Sequence, residues 1–402
     1  MQTTPKSLRL HIGIFGKTNV GKSTLINVLT GQEVAITSEQ AGTTTDAVEK
    51  SMELLPLGPV TLIDTAGIDD TSELGKARVE KTLQVIPRCD IAIIVCDYRG
   101  WGQYEIALFE RLKEQKIPVL SVVNKLDIKS ISQKNFIKIK EYCPEPILTT
   151  LQQQSGIVSQ LKEQLVRNLP EDFSNDRSII GDLINSGDTV VLVTPIDKAA
   201  PKGRLILPQV QLLRDILDND AKAIVVKVNE LQSTLDNLKQ PPRLVVTDSQ
   251  VFEEVSQIVP PWIELTSFSI LFARYKGDLD AFVNGAQVLS LLPSGANILI
   301  AESCTHHPIE DDIARVKIPK MLKEKTGKDL NFEFIRGHKF PDDLKKYNLI
   351  IHCGGCMTNR REILYRVYRC SMQNVAITNY GVVIAYCKNI LDRSIKILKN
   401  NL

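Results

Sequence analysis

The sequence lacks any apolar run long enough to span a membrane, and its first residues, MQTTPKSLRL, lack the apolar segment of a secretory signal. It also lacks internal repeats and low-complexity tracts. Eight cysteines in a chain of 402 residues are too sparse for a disulfide framework. From these absences we expect a cytoplasmic protein without a membrane partner, in which the cysteines are buried or bind a metal.

An excess of charge of one sign is also missing. The formal net charge is +2, although 24% of the residues are charged. This near balance argues against a protein that wraps a long polyanion, so no nucleic-acid partner is expected. The length is too great for one hydrophobic core and predicts two or three domains.

A phosphate-binding loop is present near the N-terminus. The apolar segment LRLHIGIFG is typical of a buried strand and leads into GKTNVGKS, residues 16–23, and then a helical run. Glycines let backbone N–H groups point at phosphate oxygens, and the N-terminus of the following helix favours negative charge. The candidate nucleotide-binding residues of this segment are Gly16, Asn19, Gly21, Lys22, Ser23 and Thr24. Lys22 would supply charge to the outer phosphates and Ser23 a hydroxyl to magnesium.

Two later motifs accompany this loop. DTAG, residues 64–67, follows the apolar strand VTLI, so Asp64 can hold the magnesium shell and the Gly67 N–H can sense the terminal phosphate. NKLD, residues 124–127, follows the strand PVLSVV. There Asp127 can accept hydrogen bonds from N1 and N2 of guanine, beside Asn124 and Lys125. Adenine lacks these donors and would leave the carboxylate unpaired.

The segment AGTTTD, residues 41–46, lies between the loop and Asp64 and is predicted to be a mobile switch. Thr44 is the candidate that would ligate magnesium while the terminal phosphate is present. The candidate catalytic residues are therefore Lys22, Thr44, Asp64 and Gly67. Ile68 follows Gly67 where signalling GTPases have glutamine, so slow intrinsic hydrolysis is expected.

On these four motifs, residues 10–165 resemble a small GTPase domain of the translation-factor class, in the branch of tRNA-modification and ribosome-assembly GTPases. The resemblance implies that the domain binds GTP and GDP with Mg²⁺. It also implies a potassium ion at Asn19, which would neutralise charge as the phosphate bond breaks.

The rest of the chain divides at two places. The polar segment PEDFSND, which begins at Pro170, is the first linker, and the Pro260-Pro261-Trp262 segment marks a second boundary. Between them, DTVVLVTPI, LPQVQLLRDILDND and AKAIVVKV have the strand-helix-strand order of a small α/β domain. We predict domains at residues 1–170, 171–262 and 263–402.

The last domain is predicted to contain a parallel sheet. Its apolar segments ANILIAES, YNLIIH and QNVAITNYGVV are interpreted as strands, with helices at DDIARVKIPKMLKEKTG and RREILYRVYRCSMQ. Ligands collect beyond the carboxyl ends of such strands. The first strand ends in CTHH, residues 304–307, and the second in HCGGC, residues 352–356. Cys304 is therefore expected to lie near Cys353 and Cys356.

Three chemistries fit these cysteines. Zinc would accept three thiolates and a histidine in a closed site. An iron-sulfur cluster held by three thiolates would leave one iron with an exchangeable ligand. A redox pair of Cys353 and Cys356 would not need Cys304. The residue types alone do not decide between zinc and an iron-sulfur cluster.

The order of features along the whole chain resembles that of the HydF family of FeFe-hydrogenase maturation proteins. These features are a GTPase domain, a middle domain, Cys304-x-His306 and, further on, His352-Cys353-x-x-Cys356. The resemblance implies a 4Fe-4S cluster on the three cysteines, with the fourth ligand open among His306, His352, Glu310 and Asp311. It also implies a middle domain that forms a homodimer. The protein would be a scaffold and carrier that receives a two-iron precursor made with two radical-SAM maturases and delivers it to apo-FeFe-hydrogenase.

The expected fold is thus α/β: a P-loop GTPase domain, a small α/β dimerisation domain and a C-terminal α/β domain whose parallel sheet carries an iron-sulfur site. The alternative is an RNA- or ribosome-linked assembly GTPase with structural zinc, against which the near-neutral charge counts. The remaining cysteines of interest are predicted to be core residues. They are Cys89, Cys96, Cys370, and Cys387 after a predicted strand YGVVIAY.

Overall fold

The computed structural model describes residues 4–31, 47–65, 67, 73–150, 156–170, 178–195, 205–303, 313–355 and 358–399, with residues 73–78 described by their backbone alone. The chain divides into two compact units, Met1–Asp176 and Arg177–Leu402. Among the described residues, no helix combines the length and the apolar character that crossing a bilayer requires.

The first unit contains a six-stranded sheet. Its strands are β1 (Leu10–Phe15), β2 (Val48–Leu54), β3 (Gly58–Asp64), β4 (Ile91–Cys96), β5 (Val119–Val123) and β6 (Ile147–Leu148). They are ordered β2-β3-β1-β4-β5-β6, and all neighbours are parallel except β2 and β3. The helices among its described residues are α1 (Lys22–Thr30), α2 (Glu73–Val85), α3 (Gln103–Glu114), α4 (Gln133–Tyr142) and α5 (Ile157–Arg167).

The central strands of this sheet are buried on both faces. Strand β1 has the sequence LHIGIF and β4 the sequence IAIIVC, and every residue of both is buried. Ile91 and Ile93 pack into the cluster that includes α1 and α5, whereas Ala92 and Ile94 pack into the cluster with α3 and α4. Parallel strands covered by helices on both sides need apolar side chains on both faces, which explains the continuous apolar runs.

The second unit begins with a four-stranded parallel sheet of order β10-β9-β7-β8. Its strands are β7 (Thr189–Val193), β8 (Lys222–Val226), β9 (Leu244–Thr247) and β10 (Leu265–Ser267), connected by α6 (Leu207–Asp218), α7 (Val228–Asn237) and α8 (Phe252–Ile258). Strand β10 follows Trp262, so this sheet extends past the end that the sequence analysis gave to the middle domain.

A second parallel sheet in the same unit has the order β12-β11-β13-β14. Its strands are β11 (Ala296–Glu302), β12 (Leu330–Arg336), β13 (Leu349–His352) and β14 (Ala376–Asn379). The helices are α9 (Phe268–Lys276), α10 (Leu279–Gln287), α11 (Ile318–Thr326), α12 (Arg360–Met372), α13 (Tyr380–Cys387) and α14 (Leu391–Lys399). The predicted α/β class with parallel sheets is confirmed.

Two details of this sheet differ from the prediction. Strand β12 was not predicted, because its sequence LNFEFIR alternates in burial as a half-exposed edge strand does and lacks a continuous apolar run. The predicted strand QNVAITNYGVV is wrong in its second half, which is helix α13. The Asn379 side chain accepts a hydrogen bond from the Val382 N–H (2.9 Å) and caps this helix. Cys387 therefore ends a helix and does not follow a strand.

One apolar core joins the two sheets of the second unit. Leu192 of β7, Leu271 of α9 and Leu299 of β11 belong to the same buried cluster. Helix α9 packs against β10 and α6 on one side and against α12 and α13 on the other. One face of each sheet thus shares this core, whereas the other face of the C-terminal sheet packs into a separate cluster with α11.

Gly285 lets α10 approach strand β14 closely. A Cβ atom at this position would lie 1.9 Å from the carbonyl oxygen of Ile377. Alanine normally favours a helix over glycine, but here we expect Gly285→Ala to lower the free energy of unfolding by about 1–3 kcal/mol because of overpacking.

Urea denaturation followed by circular dichroism measures this effect. Asn284→Ala is the matched control, since Asn284 is exposed on the same helix and its loss should change stability by less than about 0.5 kcal/mol. Equal stabilities of the two variants would contradict the proposed close packing.

Candidate functional site

The phosphate loop, residues 16–23, lies between β1 and α1 and needs glycine at two positions. Gly16 has φ of 147° and Gly21, which precedes α1, has φ of 104°. A Cβ atom on Gly16 would lie 2.2 Å from the Val95 carbonyl oxygen. The buried Lys22 donates to the carbonyl oxygens of Gly16 (3.0 Å) and Lys17 (2.8 Å). The loop therefore curls around its own lysine, as a phosphate cradle requires.

Ser23 and Asp64 form a donor pair suited to a hard cation. The Ser23 hydroxyl donates to Asp64 Oδ2 over 3.1 Å. Asp64 Oδ1 is buried and has no hydrogen-bond partner in the described part of the chain. Burial raises the pKa of Asp64, although the Ser23 hydrogen bond opposes this effect. A hydroxyl and an incompletely satisfied carboxylate fit magnesium, which prefers oxygen ligands and would remove the cost of burying this charge. Thr44 lies outside the described residues.

Gly67 lies directly against the phosphate loop. A Cβ atom at Gly67 would be 2.6 Å from the Cα of Thr18. The segment after β3 therefore reaches the phosphate loop only because residue 67 has no side chain. Ile68, which follows, lies outside the described residues.

Most of the predicted nucleotide-binding residues line one cavity of about 550 Å³. Its lining residues are Asn19, Gly21, Lys22, Ser23, Thr24, Asn124, Lys125, Asp127 and Ile128. Of the nine predicted residues only Gly16 does not line it, and Ile128 was not predicted. The buried Asn124 donates through Nδ2 to the Val20 carbonyl oxygen (2.9 Å) and connects the loop after β5 to the phosphate loop.

The sequence analysis missed a contact behind the phosphate loop. The ammonium of Lys17 lies 3.3 Å from Glu105 Oε2 on α3, and the Glu105 side chain is 1% exposed. The same carboxylate accepts a hydrogen bond from the Gly102 N–H (2.8 Å). A glutamate three residues after the glycine that precedes a helix is a capping signal that could have located Glu105, although nothing in the sequence indicated its partner.

We expect Glu105→Gln to weaken GTP binding about fivefold, because the Lys17 end of the phosphate loop would lose its ion pair, which is only partly shielded from water. Titration with a fluorescent GTP analogue measures the dissociation constant. Glu110→Gln, at an exposed position of the same helix, is the control and should bind as the unmodified protein does. If both variants bind equally, the ion pair does not support the loop.

The second candidate site lies at the carboxyl ends of β11 and β13, which are neighbours in the C-terminal sheet. After β11 the chain leads to β12 on one side of the sheet, and after β13 it leads to β14 on the other side. In open parallel sheets, ligands bind at the point where the strand order reverses in this way. The Ser303 N–H donates to Cys353 Sγ (3.2 Å), and the Cys353 N–H donates to the Ala301 carbonyl oxygen (2.9 Å).

Only part of the predicted ligand set lies in the described residues. Cys353 and His352 are described, whereas Cys304, His306 and Cys356 are not, nor are Glu310 and Asp311. Within the part of the chain that the structure describes, no three His, Cys, Asp or Glu side chains are grouped so as to hold a metal ion.

His352 has both ring nitrogens occupied by protein groups. Nδ1 lies 2.6 Å from the Cys353 carbonyl oxygen. Nε2 lies 3.1 Å from Nη1 of Arg366 and 3.1 Å from the Ser303 hydroxyl. A guanidinium can only donate, so Nε2 accepts and Nδ1 carries the proton that is donated to the carbonyl. In this arrangement the ring of His352 holds the loop in place, and its role as a cluster ligand stays a prediction.

Cys353 lies among hydrogen-bond donors. Burial raises the pKa of its thiol, whereas His352 and the backbone N–H groups of Ser303 and Gly355 lower it, and the lowering prevails. The thiolate is the form that binds metals. By contrast, burial raises the pKa of Cys370 to about 12 and that of Cys387 to about 11. These two cysteines remain thiols packed in helices.

Buried charged residues that were not predicted lie behind Cys353. Arg366 is 1% exposed and donates to Glu362 Oε1 (2.7 Å) and to the Gly337 carbonyl oxygen (2.9 Å). Glu362 also faces His338 Nδ1 at 2.9 Å. Arg366 shares the buried face of α12 with Ile363 and Cys370, and this helical spacing is the one signal in the sequence that could have indicated its burial.

Three family models match the chain. They are the 50S ribosome-binding GTPase at residues 11–125, the hydrogen maturase F dimerization domain at residues 179–277 and the hydrogen maturase F tetramerization domain at residues 280–397. The two maturase models together cover more than half of the chain.

Individual relatives match part of the chain. The tRNA modification GTPase MnmE of Chromobacterium violaceum is 38% identical over 121 residues, which are 30% of this chain and 26% of that protein. GTPase Der of Campylobacter hominis is 31% identical over 166 residues, or 41% of this chain and 36% of that protein. A crystal structure of Aquifex aeolicus Era bound to GDP and aluminium fluoride is 20% identical, covers 62% of this chain and 97% of its own, and has a TM-score of 0.33. The chain spans about a quarter to a third of the curated relatives' length.

The first unit is thus a P-loop GTPase domain, an enzyme domain that binds GTP and GDP with magnesium and hydrolyses GTP. The matches to the second unit add domains for oligomerisation. The combination of a GTPase domain with these two oligomerisation domains identifies one family. The chain belongs to the hydrogenase maturase F family.

Proposed function

We propose that this protein is a GTP-hydrolysing scaffold and carrier in FeFe-hydrogenase maturation. It binds a 4Fe-4S cluster through Cys304, Cys353 and Cys356, receives a two-iron precursor and delivers it to apo-hydrogenase. The observation that carries this proposal is the contact of the Ser303 N–H with Cys353 Sγ, 3.2 Å apart. Ser303 immediately precedes Cys304, so the two sequence-distant cysteine segments approach each other at the edge of the sheet.

The chemistry of the surroundings supports a cluster of thiolates. Cys353 is the described cysteine whose pKa is lowered, and the buried cation Lys276 donates to the carbonyl oxygen of Gly355 in its loop. Three thiolates give the site a high negative charge, which nearby cations stabilise. When bound, a cluster with an exchangeable fourth ligand would provide an open iron to which a precursor can attach. His306, His352, Glu310 and Asp311 are the candidates for that position.

The N-terminal site supplies the residues for hydrolysis. Lys22 stabilises the charge on the outer phosphates, Ser23 and Asp64 would hold magnesium together with Thr44, and the Gly67 N–H binds the terminal phosphate. A water oxygen bonds to the γ-phosphorus as the bond to the β–γ bridging oxygen breaks, which yields GDP and phosphate. Asn19 is the proposed potassium ligand. Its backbone is left-handed, with φ of 61°, a conformation that asparagine tolerates.

The proposed domains and partners rest on the membership of this chain in the hydrogenase maturase F family. We propose a GTPase domain at residues 1–170, a dimerisation domain at 171–262 that forms a homodimer, and a cluster-binding domain at 263–402. The partners are two radical-SAM maturases and the apo-hydrogenase. The six described cysteines are all free, which supports a cytoplasmic location where thiols stay reduced.

Asp127→Asn tests the assignment of the base. Asparagine can donate to the second carbonyl of xanthine and accept from N1, but it cannot accept both guanine donors. We expect the variant to lose at least about 100-fold in GTP affinity and to gain XTP binding and hydrolysis. Competition of GTP, XTP and ATP in the same assay gives the selectivity. A variant that still prefers GTP would contradict the role of Asp127.

Cys353→Ala tests the cluster. We expect anaerobically reconstituted protein to contain iron and acid-labile sulfide in near-equal amounts, with a reduced-cluster signal in electron paramagnetic resonance. Both should fall by more than half in Cys353→Ala and stay unchanged in the control Cys387→Ala, because Cys387 ends helix α13 as a thiol whose pKa is raised by burial. One zinc per chain without sulfide in the unmodified protein would instead favour the assembly-GTPase alternative.

A further inference from the structure

Lys276 connects α9 to the loop after β13. It is the last residue of α9 and is 1% exposed. Its ammonium donates to the carbonyl oxygen of Gly355 (3.0 Å) and to that of Thr358 (3.2 Å). These two residues flank Cys356 and Met357 in the sequence, so one ammonium group holds both ends of the segment that carries the third cysteine.

Burying an ammonium group is costly unless its donors are used. The two carbonyl oxygens use donors of Lys276, and the ring of Phe272 lies 6.0 Å from its nitrogen. An apolar side chain would fill the same space without removing a charge from water. The fold therefore keeps a cation at this position at a cost in solvation, and the loop after β13 is the element that receives its hydrogen bonds.

A second cation fixes the same junction from the opposite direction. Arg360, at the start of α12, donates through Nη1 to the carbonyl oxygens of Tyr275 (3.0 Å) and Gly277 (3.2 Å). These residues are the sequence neighbours of Lys276. The end of α9 and the cysteine loop thus exchange four hydrogen bonds, and the favourable position of a cation at a helix C-terminus adds to them.

The junction joins the two family-specific regions. Lys276 falls in the part of the chain that matches the dimerization domain, residues 179–277, and Gly355 and Thr358 fall in the part that matches the tetramerization domain, residues 280–397. Consequently a residue of the first region determines the backbone of the loop in the second.

We propose that Lys276 is a positioning residue for the iron-sulfur site: it sets the backbone on both sides of Cys356 and raises the reduction potential of the cluster. This inference rests on the proposed cluster binding. A reduced cluster carries one more negative charge than an oxidised one, so a fixed cation close to its ligand loop stabilises the reduced form more.

The test compares the full-length protein with Lys276→Met, which is similar in length and uncharged, and Lys276→Arg, which keeps the charge. The control is Lys320→Met, at a lysine of α11 whose side chain is 75% exposed. Iron and sulfide are measured after anaerobic reconstitution, and the midpoint potential is measured by redox titration of the paramagnetic signal. Circular dichroism confirms that each variant is folded.

We expect Lys276→Met to bind at least twofold less cluster, with a midpoint potential shifted to more negative values. Lys276→Arg should restore the potential, and Lys320→Met should match the unmodified protein in both measurements. If Lys276→Met does not fold, Lys276→Gln, a polar uncharged replacement, should show the same negative shift. A merely structural role would lower occupancy without moving the potential.

The two proposals fail in different ways. If the unmodified protein binds no cluster, cluster binding is refuted, and the inference about Lys276 with it. If the unmodified protein binds a cluster and the uncharged variants have unchanged potentials, only the inference is overturned.

Discussion

Neighbouring parallel strands end at the same edge of a sheet, and both candidate sites depend on this constraint. In the first unit, β1 and β3 are neighbours, so the phosphate loop after β1 meets Asp64 at the end of β3. In the second unit, β11 and β13 are neighbours, so Ser303 meets Cys353. In each case the apolar strands bring together polar residues that are far apart in sequence, and the loops supply the chemistry.

The charges buried at the two sites have opposite signs. Asp64 at the nucleotide site is a buried carboxylate with one incompletely satisfied oxygen, which suits a site that binds a divalent cation. The cysteine loop instead receives hydrogen bonds from the buried cation Lys276, which suits a site built from thiolates, while the charge of Arg366 is paired with Glu362. A buried charge is stabilised by an opposite charge, so each site is arranged for a ligand whose charge complements its surroundings.

The sequence predicted those parts of the fold whose signals are local. The phosphate loop combines glycines with a helix start, and the buried strands are short apolar runs, so both could be recognised from adjacent residues. Strand β12 could not, because an edge strand is half exposed and alternates polar with apolar residues. The segment after Asn379 contains the β-branched residues Val382, Val383 and Ile384, which favour a strand, but the asparagine cap overrides this preference and the segment forms a helix.

The residues that support the sites are harder to predict, for a different reason. Glu105, Lys276 and Arg366 are charged residues within helical runs, where charge ordinarily indicates a solvated face. Each has a partner far away in sequence: Lys17 for Glu105, the Gly355 carbonyl for Lys276 and the Gly337 carbonyl for Arg366.

Only the tertiary fold brings these partners together, so the ligand residues of a site can be read from motifs more readily than the residues that orient them. Helix α9 illustrates the consequence. It packs into a core shared by both sheets, and its final lysine reaches the loop that carries the cysteines. A displacement of this helix relative to β13 would therefore move the loop backbone directly, through the hydrogen bonds of Lys276.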